Sequence, residues 1–135
     1  MANASYPLGL KAFADGGVDW TGDTIRAVAV SSAYTYDSAD QYYSDLAGIL
    51  GTADLASKSS TGGVLDAADT QLTGLSAGAI DAIIICKWTG SAATSALLFY
   101  FDTGLNFGAT PTGDPLIVWP NASGIKIYPL GGVAS

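Results

Sequence analysis

One segment, AIDAIIICKWTGSAATSALLFYFDTG from Ala79 to Gly104, limits what this chain can fold into more than any other. Read as extended chain, its first run puts Ile83 and Ile85 on one face and Ala82, Ile84, Cys86 and Trp88 on the other. Both faces are apolar. Such a strand has to be covered on two sides, by two layers of one domain or by a neighbouring subunit. The segment is long enough to cross a bilayer as a helix, but Lys87 and the polar stretch TGSAATS would sit in the middle of the span, where charge and unpaired polarity are costly. The pattern therefore predicts a hairpin, with strands over Ala79 to Trp88 and Ser95 to Asp102 joined by the small-residue loop Thr89 to Thr94. No membrane partner is expected.

The rest of the chain predicts the same class. All twelve acidic residues are Asp and none is Glu, a good helix former, whereas Asp favours turns and caps. Seventeen glycines accompany many Thr, Ser, Tyr, Val and Ile, a composition of short strands with tight turns. DTIRAVAVS, from Asp23 to Ser31, alternates Ile25, Ala27 and Ala29 with Arg26, Val28 and Val30, as a central strand does. Shorter alternating pieces lie within Thr52 to Ser60 and Gly63 to Thr73, and two further strands are predicted at Leu116 to Trp119 and Ile125 to Leu130. Leu10, Phe13 and Ala14 fall at helical spacing before Gly16-Gly17, which predicts a short N-terminal helix within an arm over residues 1–17. In YTYDSADQYYSDLAG, Ser38 to Leu46 is expected to make one or two helical turns in an excursion from the sheet. The expected architecture is one domain over residues 1–135, an all-β antiparallel sandwich of about seven strands with a short N-terminal helix.

Charge and chemistry exclude several functions. The net charge is −7, with Lys11, Arg26, Lys58, Lys87 and Lys126 the only positive side chains, so no basic stripe can track a phosphate backbone and no nucleic-acid partner is expected. MANASYPLGLKAF reads as neither secretory signal nor anchor. Cys86 is the sole cysteine of a chain without histidine, so nothing is at hand to activate it as a nucleophile, and a small buried hydrophobe is expected instead. FYFDTGLNF resembles the Asp-Thr-Gly signature of dimeric aspartic proteases, in which two subunits each supply one carboxylate, here Asp102. Against that reading, Leu105 follows the glycine where Ala or Ser is usual, and the motif stands late in the chain. A strand ending in an Asp/Gly turn is the simpler account. Asp66 with Asp69, and Asp37 with Asp40, lack the alternating ligand pattern of a calcium loop and are expected to cap and turn. Asn3 and Asn121 match a glycosylation acceptor in form only. No catalytic residue, cofactor or metal is expected.

Taken in order, DTIRAVAVSSAYTYDSADQYYSDL, TGGVLDAADTQLTGL, the hairpin segment and TPTGDPLIVWPNASGIKIYPL resemble a family of small tailed-bacteriophage virion proteins. That family places a short helix before a DTIK-ALV strand, an aromatic YTYD turn with LSD, a NGVFDA-D element, a strand ending in YKDTGTAATS and a C-terminal VTPNGGDITV-W hairpin. Cys86-Lys87-Trp88 departs from the usual Tyr-Lys-Asp, and the loop after Asp102 is shorter. The resemblance implies a noncatalytic virion protein made in the host cytoplasm: a capsid decoration or cement protein bound in many copies to the major capsid protein, or a tail, neck or fibre component, with self-association expected. Three Trp, seven Tyr and four Phe against only 17 charged residues suggest aromatic anchors at such an interface. The candidates are Tyr34, Tyr36, Tyr42 and Tyr43 in the turn-rich excursion, with Trp20 and Trp119. The competing expectation is that these tyrosines roof the domain's own sheet.

Overall fold

The computed structural model describes residues 4–61, 64–68, 70–72, 80–102, 107–108 and 116–117. The expected class holds: the chain is built of antiparallel strands with one short helix. In chain order the elements are β1 (Ala4–Ser5), α1 (Pro7–Ala14), β2 (Ile25–Val30), β3 (Ile49–Asp54), β4 (Ser59–Thr61), β5 (Val64–Asp66), β6 (Thr70–Gln71), β7 (Ala82–Lys87), β8 (Leu97–Phe101), β9 (Phe107–Gly108) and β10 (Leu116–Ile117). The main sheet has the order β1-β8-β7-β2-β3. A three-stranded sheet, β6-β10-β9, and the two-stranded ribbon β4-β5 complete the strand pairing.

The hairpin predicted from the sequence forms the middle of that sheet. Strand β7 pairs with β2 on one side and β8 on the other, with Val28, Ile84 and Tyr100 in one row and Ala27, Ile85 and Phe99 in the next. Residues Ala82 to Cys86 are all buried. Of the two candidate covers for such a strand, the structure has the first: the chain itself covers both faces. On one face Ile25, Ala27, Ala29, Ile83, Ile85, Phe99 and Phe101 pack with Trp20, Leu55, Ala67 and Leu72, which brings the ribbon and the segment around β6 against the sheet as a second layer. On the other face Val28, Val30, Ala82, Ile84, Cys86, Leu97 and Tyr100 pack under Tyr6 and Tyr34, with Tyr36, Tyr43, Leu46 and Ile49 around them. Two covered faces account for a chain so apolar and so poor in charge.

Local chemistry fixes the remaining elements. Pro7 occupies the first turn of α1, where its missing N–H is no loss and its fixed φ suits a helix. The helix lies against β8 because Gly9 lets it approach closely; a methyl group there would collide with the Leu97 carbonyl oxygen. A bulge between Ile85 and Cys86 on the β7–β8 ladder turns Leu98 and Phe99 into the same cluster. The excursion holds a single 3-10 turn, Tyr43–Asp45, shorter than the one or two helical turns expected over Ser38 to Leu46. Asp45 organises it by accepting the backbone N–H groups of Gln41 and Tyr42 at 2.9 and 3.0 Å. Strand β3 starts at Ile49, earlier than the expected Thr52, and Leu50 is the extra residue of a bulge between the Ala29–Gly51 and Val30–Ile49 pairs. The strand expected over Ile125 to Leu130 lies outside the described residues.

Candidate functional site

Strand β2 leaves the sheet at Val30 and the chain rises over the second face, carrying Tyr34 and Tyr36 above Tyr100 of β8. Their rings are tilted against one another: Tyr36 and Tyr100 lie 5.2 Å apart between centroids, Tyr34 and Tyr100 6.3 Å, and Tyr36 and Tyr6 5.0 Å. The phenol oxygens are hydrogen-bonded in sequence. Tyr34 Oη donates to Asp40 Oδ2 at 2.7 Å and stands 2.8 Å from Tyr6 Oη, so with its one proton engaged it receives that of Tyr6. Tyr36 Oη donates to the Ser5 carbonyl at 2.8 Å. These bonds tie the N-terminal arm to the excursion. Burial is the main cause that raises the phenol pKa of both Tyr6 and Tyr34 above the usual tyrosine range. Asp40 is also raised, chiefly by burial, although the bond from Tyr34 opposes this.

Beside this roof lies a pocket of about 200 Å³. Tyr34, Tyr36 and Tyr100 wall it, Asp81 and Asp102 stand at its acidic side, and Ser32 and Thr35 border it. The two carboxylates meet because the hairpin is antiparallel: Asp81 precedes β7 and Asp102 follows β8, and Ile83 pairs with Phe101. Tyr100 Oη donates to Asp102 Oδ2 at 3.3 Å. Burial, followed by the negative charges of Asp102 and Asp81, pushes the Tyr100 phenol up to about 12.

The aromatic residues singled out in the sequence occupy different places. Trp20 is 4% exposed and donates its indole N–H to the Asp66 carbonyl at 3.1 Å, and Tyr34 is 5% exposed. Both are interior, which corrects the expectation that they face outward to a partner; each fills the space over one face of the sheet. Tyr36, Tyr42 and Tyr43 are partly buried. Tyr43 stands edge-on to Trp88 at 5.1 Å, and the Arg26 guanidinium lies 4.2 Å from the centre of the Trp88 ring. Tyr42 makes an isolated bridge to Ala96. Trp119 lies outside the described residues. The sequence reading missed Asp81 and Tyr100 as partners of the tyrosine excursion, although two aspartates at the outer ends of a predicted hairpin are a usable signal.

The remaining chemical groups have structural surroundings. Cys86 is fully buried beneath the tyrosine face, and burial pushes its thiol up to about 12, away from the thiolate form. Lys87 reaches the opposite way, to Asp23 Oδ2 at 3.3 Å and the Gly17 carbonyl at 2.7 Å. Asp37 closes a turn by accepting the Ala39 N–H at 2.9 Å, in keeping with the turn role expected of it. Asp69, Asn3 and Asn121 lie outside the described residues. Among the described residues no group of three or more His, Cys, Asp or Glu side chains could hold a metal, and no helix is long and apolar enough to cross a membrane. Compared with known proteins, the chain matches no family model, no curated protein and no solved structure.

Proposed function

We propose that this protein is a noncatalytic structural component of a tailed-phage particle, a decoration or cement protein attached in many copies to the major capsid protein. The observation that carries the reading is the order of the segments that resemble small virion proteins, from DTIRAVAVS through the hairpin to TPTGDPLIVWPNASGIKIYPL. The fold supports it in one respect. Both faces of the main sheet are closed by the chain itself, and Leu10 is the one large hydrophobic side chain that is exposed among the described residues. Such a module can be added to a preformed shell without unfolding, and its contacts must come from loops and polar-aromatic surface rather than from an open sheet face. Its acidic charge suits the outside of a shell, away from packaged DNA.

Quantitative mass spectrometry of purified particles tests this. The protein should appear near the stoichiometry of the capsid protein and stay with heads when tails are detached. Recovery with tails or fibres would move it to that part of the virion, and absence from particles would end the structural reading. For the Asp-Thr-Gly alternative, the assay is cleavage of an unfolded substrate at acidic pH, where no activity is expected from the wild type or from Asp102→Asn.

A further inference from the structure

The segment of residues 4–14 grips the outer edge of β8 from both sides. Tyr6 goes to the tyrosine face, where it is fully buried and its hydroxyl meets that of Tyr34. Phe13 goes to the opposite face and stacks on Phe99, with ring centroids 6.1 Å apart. Between them Gly9 passes the strand so closely that a Cβ would lie 2.1 Å from the Leu97 carbonyl oxygen. The edge itself is shared. The Tyr6 N–H donates to the Leu98 carbonyl at 2.9 Å, the Leu97 N–H to the Gln41 carbonyl at 2.9 Å and the Tyr43 N–H to the Ser95 carbonyl at 2.8 Å, so residues 4–6 and 41–43 act as one edge strand made of two pieces. After α1 this clip joins the body through residues 15–17, all exposed. Gly16 there has φ +79°, with nothing within 4 Å of the place a Cβ would take, and the Gly17 carbonyl is held by Lys87 Nζ at 2.7 Å.

We propose that residues 4–14 are an exchangeable clip and that the edge of β8 is an interface on which the clip of a second copy closes, giving a dimer of two reciprocally clasped chains. The socket selects its occupant: it admits no side chain beside Leu97 and asks for a tyrosine on one face of the strand and a phenylalanine on the other. The chain's own segment meets these demands, and a second copy carries an identical one. Exchange leaves every contact between clip and socket as it was, so the two forms differ mainly in the linker. A linker of three residues that turns back through a left-handed glycine gains by opening. The single chain closes its own clip in dilute solution. The exchanged pair forms when concentrated protein is held near its unfolding midpoint and persists on later dilution, because return requires both clips to open.

The test uses the whole chain. Isotope-labelled and unlabelled protein are mixed, incubated at high concentration near the unfolding midpoint, cooled and separated by size-exclusion chromatography. A dimer fraction is expected in which isotope-filtered NOEs join Phe13 of one copy to Phe99 of the other, and Tyr6 to Tyr34. A chain that stays monomeric, or a dimer without these intermolecular contacts, would overturn the clip. Gly16→Val sharpens the test, because a β-branched side chain meets no neighbour there and opposes only the left-handed turn. Each closed linker should be disfavoured on the order of tenfold, so the dimer, with two opened linkers, should gain on the order of a hundredfold over two monomers. An unchanged monomer–dimer equilibrium in a folded Gly16→Val protein would overturn the exchange. If that variant does not fold, lengthening the linker with extra glycines reads the same property in reverse: the dimer should disappear, and a dimer that survives contradicts the proposal. None of these measurements involves a particle, so the clip and the virion reading stand or fall separately.

Discussion

The two faces of the main sheet are built from the same three strands, yet they are closed by different chemistry. One face is dry: Phe13, Phe99, Phe101 and Trp20 pack with aliphatic side chains, and the single polar handle, the Trp20 indole, is answered by a backbone carbonyl. The other is roofed by phenols whose hydroxyls are linked to one another, to Asp40 and to the Ser5 backbone. The dry face gains its stability from area and fit, which tolerate few changes of volume. The phenol face gains position as well, since the hydroxyls of Tyr6, Tyr34, Tyr36 and Tyr100 each have a hydrogen-bond partner that fixes the ring.

The largest effect separating the faces is expected from cavity formation on the dry side. Phe101 is fully buried, and Phe101→Ala should lower stability by about 3–5 kcal/mol in denaturant unfolding. A loss near 1 kcal/mol would mean that this face is loosely packed and the contrast between the two is smaller than described. On the phenol side, Tyr34→Phe keeps the ring but strands the Tyr6 proton and the Asp40 carboxylate, for a loss of about 1–3 kcal/mol. Tyr6→Phe removes the terminal donor of the chain and should cost less, about 1 kcal/mol.

The same face sets an alkaline limit. The Tyr6 phenol is raised in the folded protein, mainly by burial, while in the unfolded chain it ionises near its ordinary value of about 10. The unfolded state therefore releases a proton that the folded state keeps, and stability is retained below that pH and falls as pH rises above it. Tyr6→Phe should flatten this alkaline decline, as followed by unfolding midpoints at increasing pH. An unchanged slope would remove Tyr6 from the account. The smallest effect belongs to neither face. The Arg26–Asp54 pair at 2.8 Å is partly exposed at a strand ladder, and Asp54→Asn should change stability by less than about 1 kcal/mol.

Legibility in the sequence follows the same division. Strands β2, β7 and β8 were readable because alternation and apolar runs translate directly into burial; on β2 and β7 the facing residues are those that the period assigns, whereas on β8 the bulge puts Leu98 and Phe99 into one cluster. Cys86 was readable as a buried thiol because no basic partner exists to make it anything else. The tyrosine excursion was not. Its residues have no period, so nothing local says whether Tyr34 turns toward the sheet or away from it; Tyr6, Tyr100 and Asp40 decide that from distant parts of the chain. Gly9 gave no sign of its close approach to Leu97, which depends on how the helix meets β8. Asp81 and Asp102 come together only once the hairpin register is known.

The central claim is that this chain covers both faces of its own sheet, and hydrogen exchange along β7 tests it most directly. The amides of Ile83, Ile84, Ile85 and Cys86 lie in ladders on both sides and under both clusters, so they should exchange only through global unfolding, at rates that do not change as the protein is diluted. Faster exchange on dilution would show that a second copy covers one of the faces, and the division of labour between a dry face and a phenol roof would then belong to the assembly rather than to the single chain.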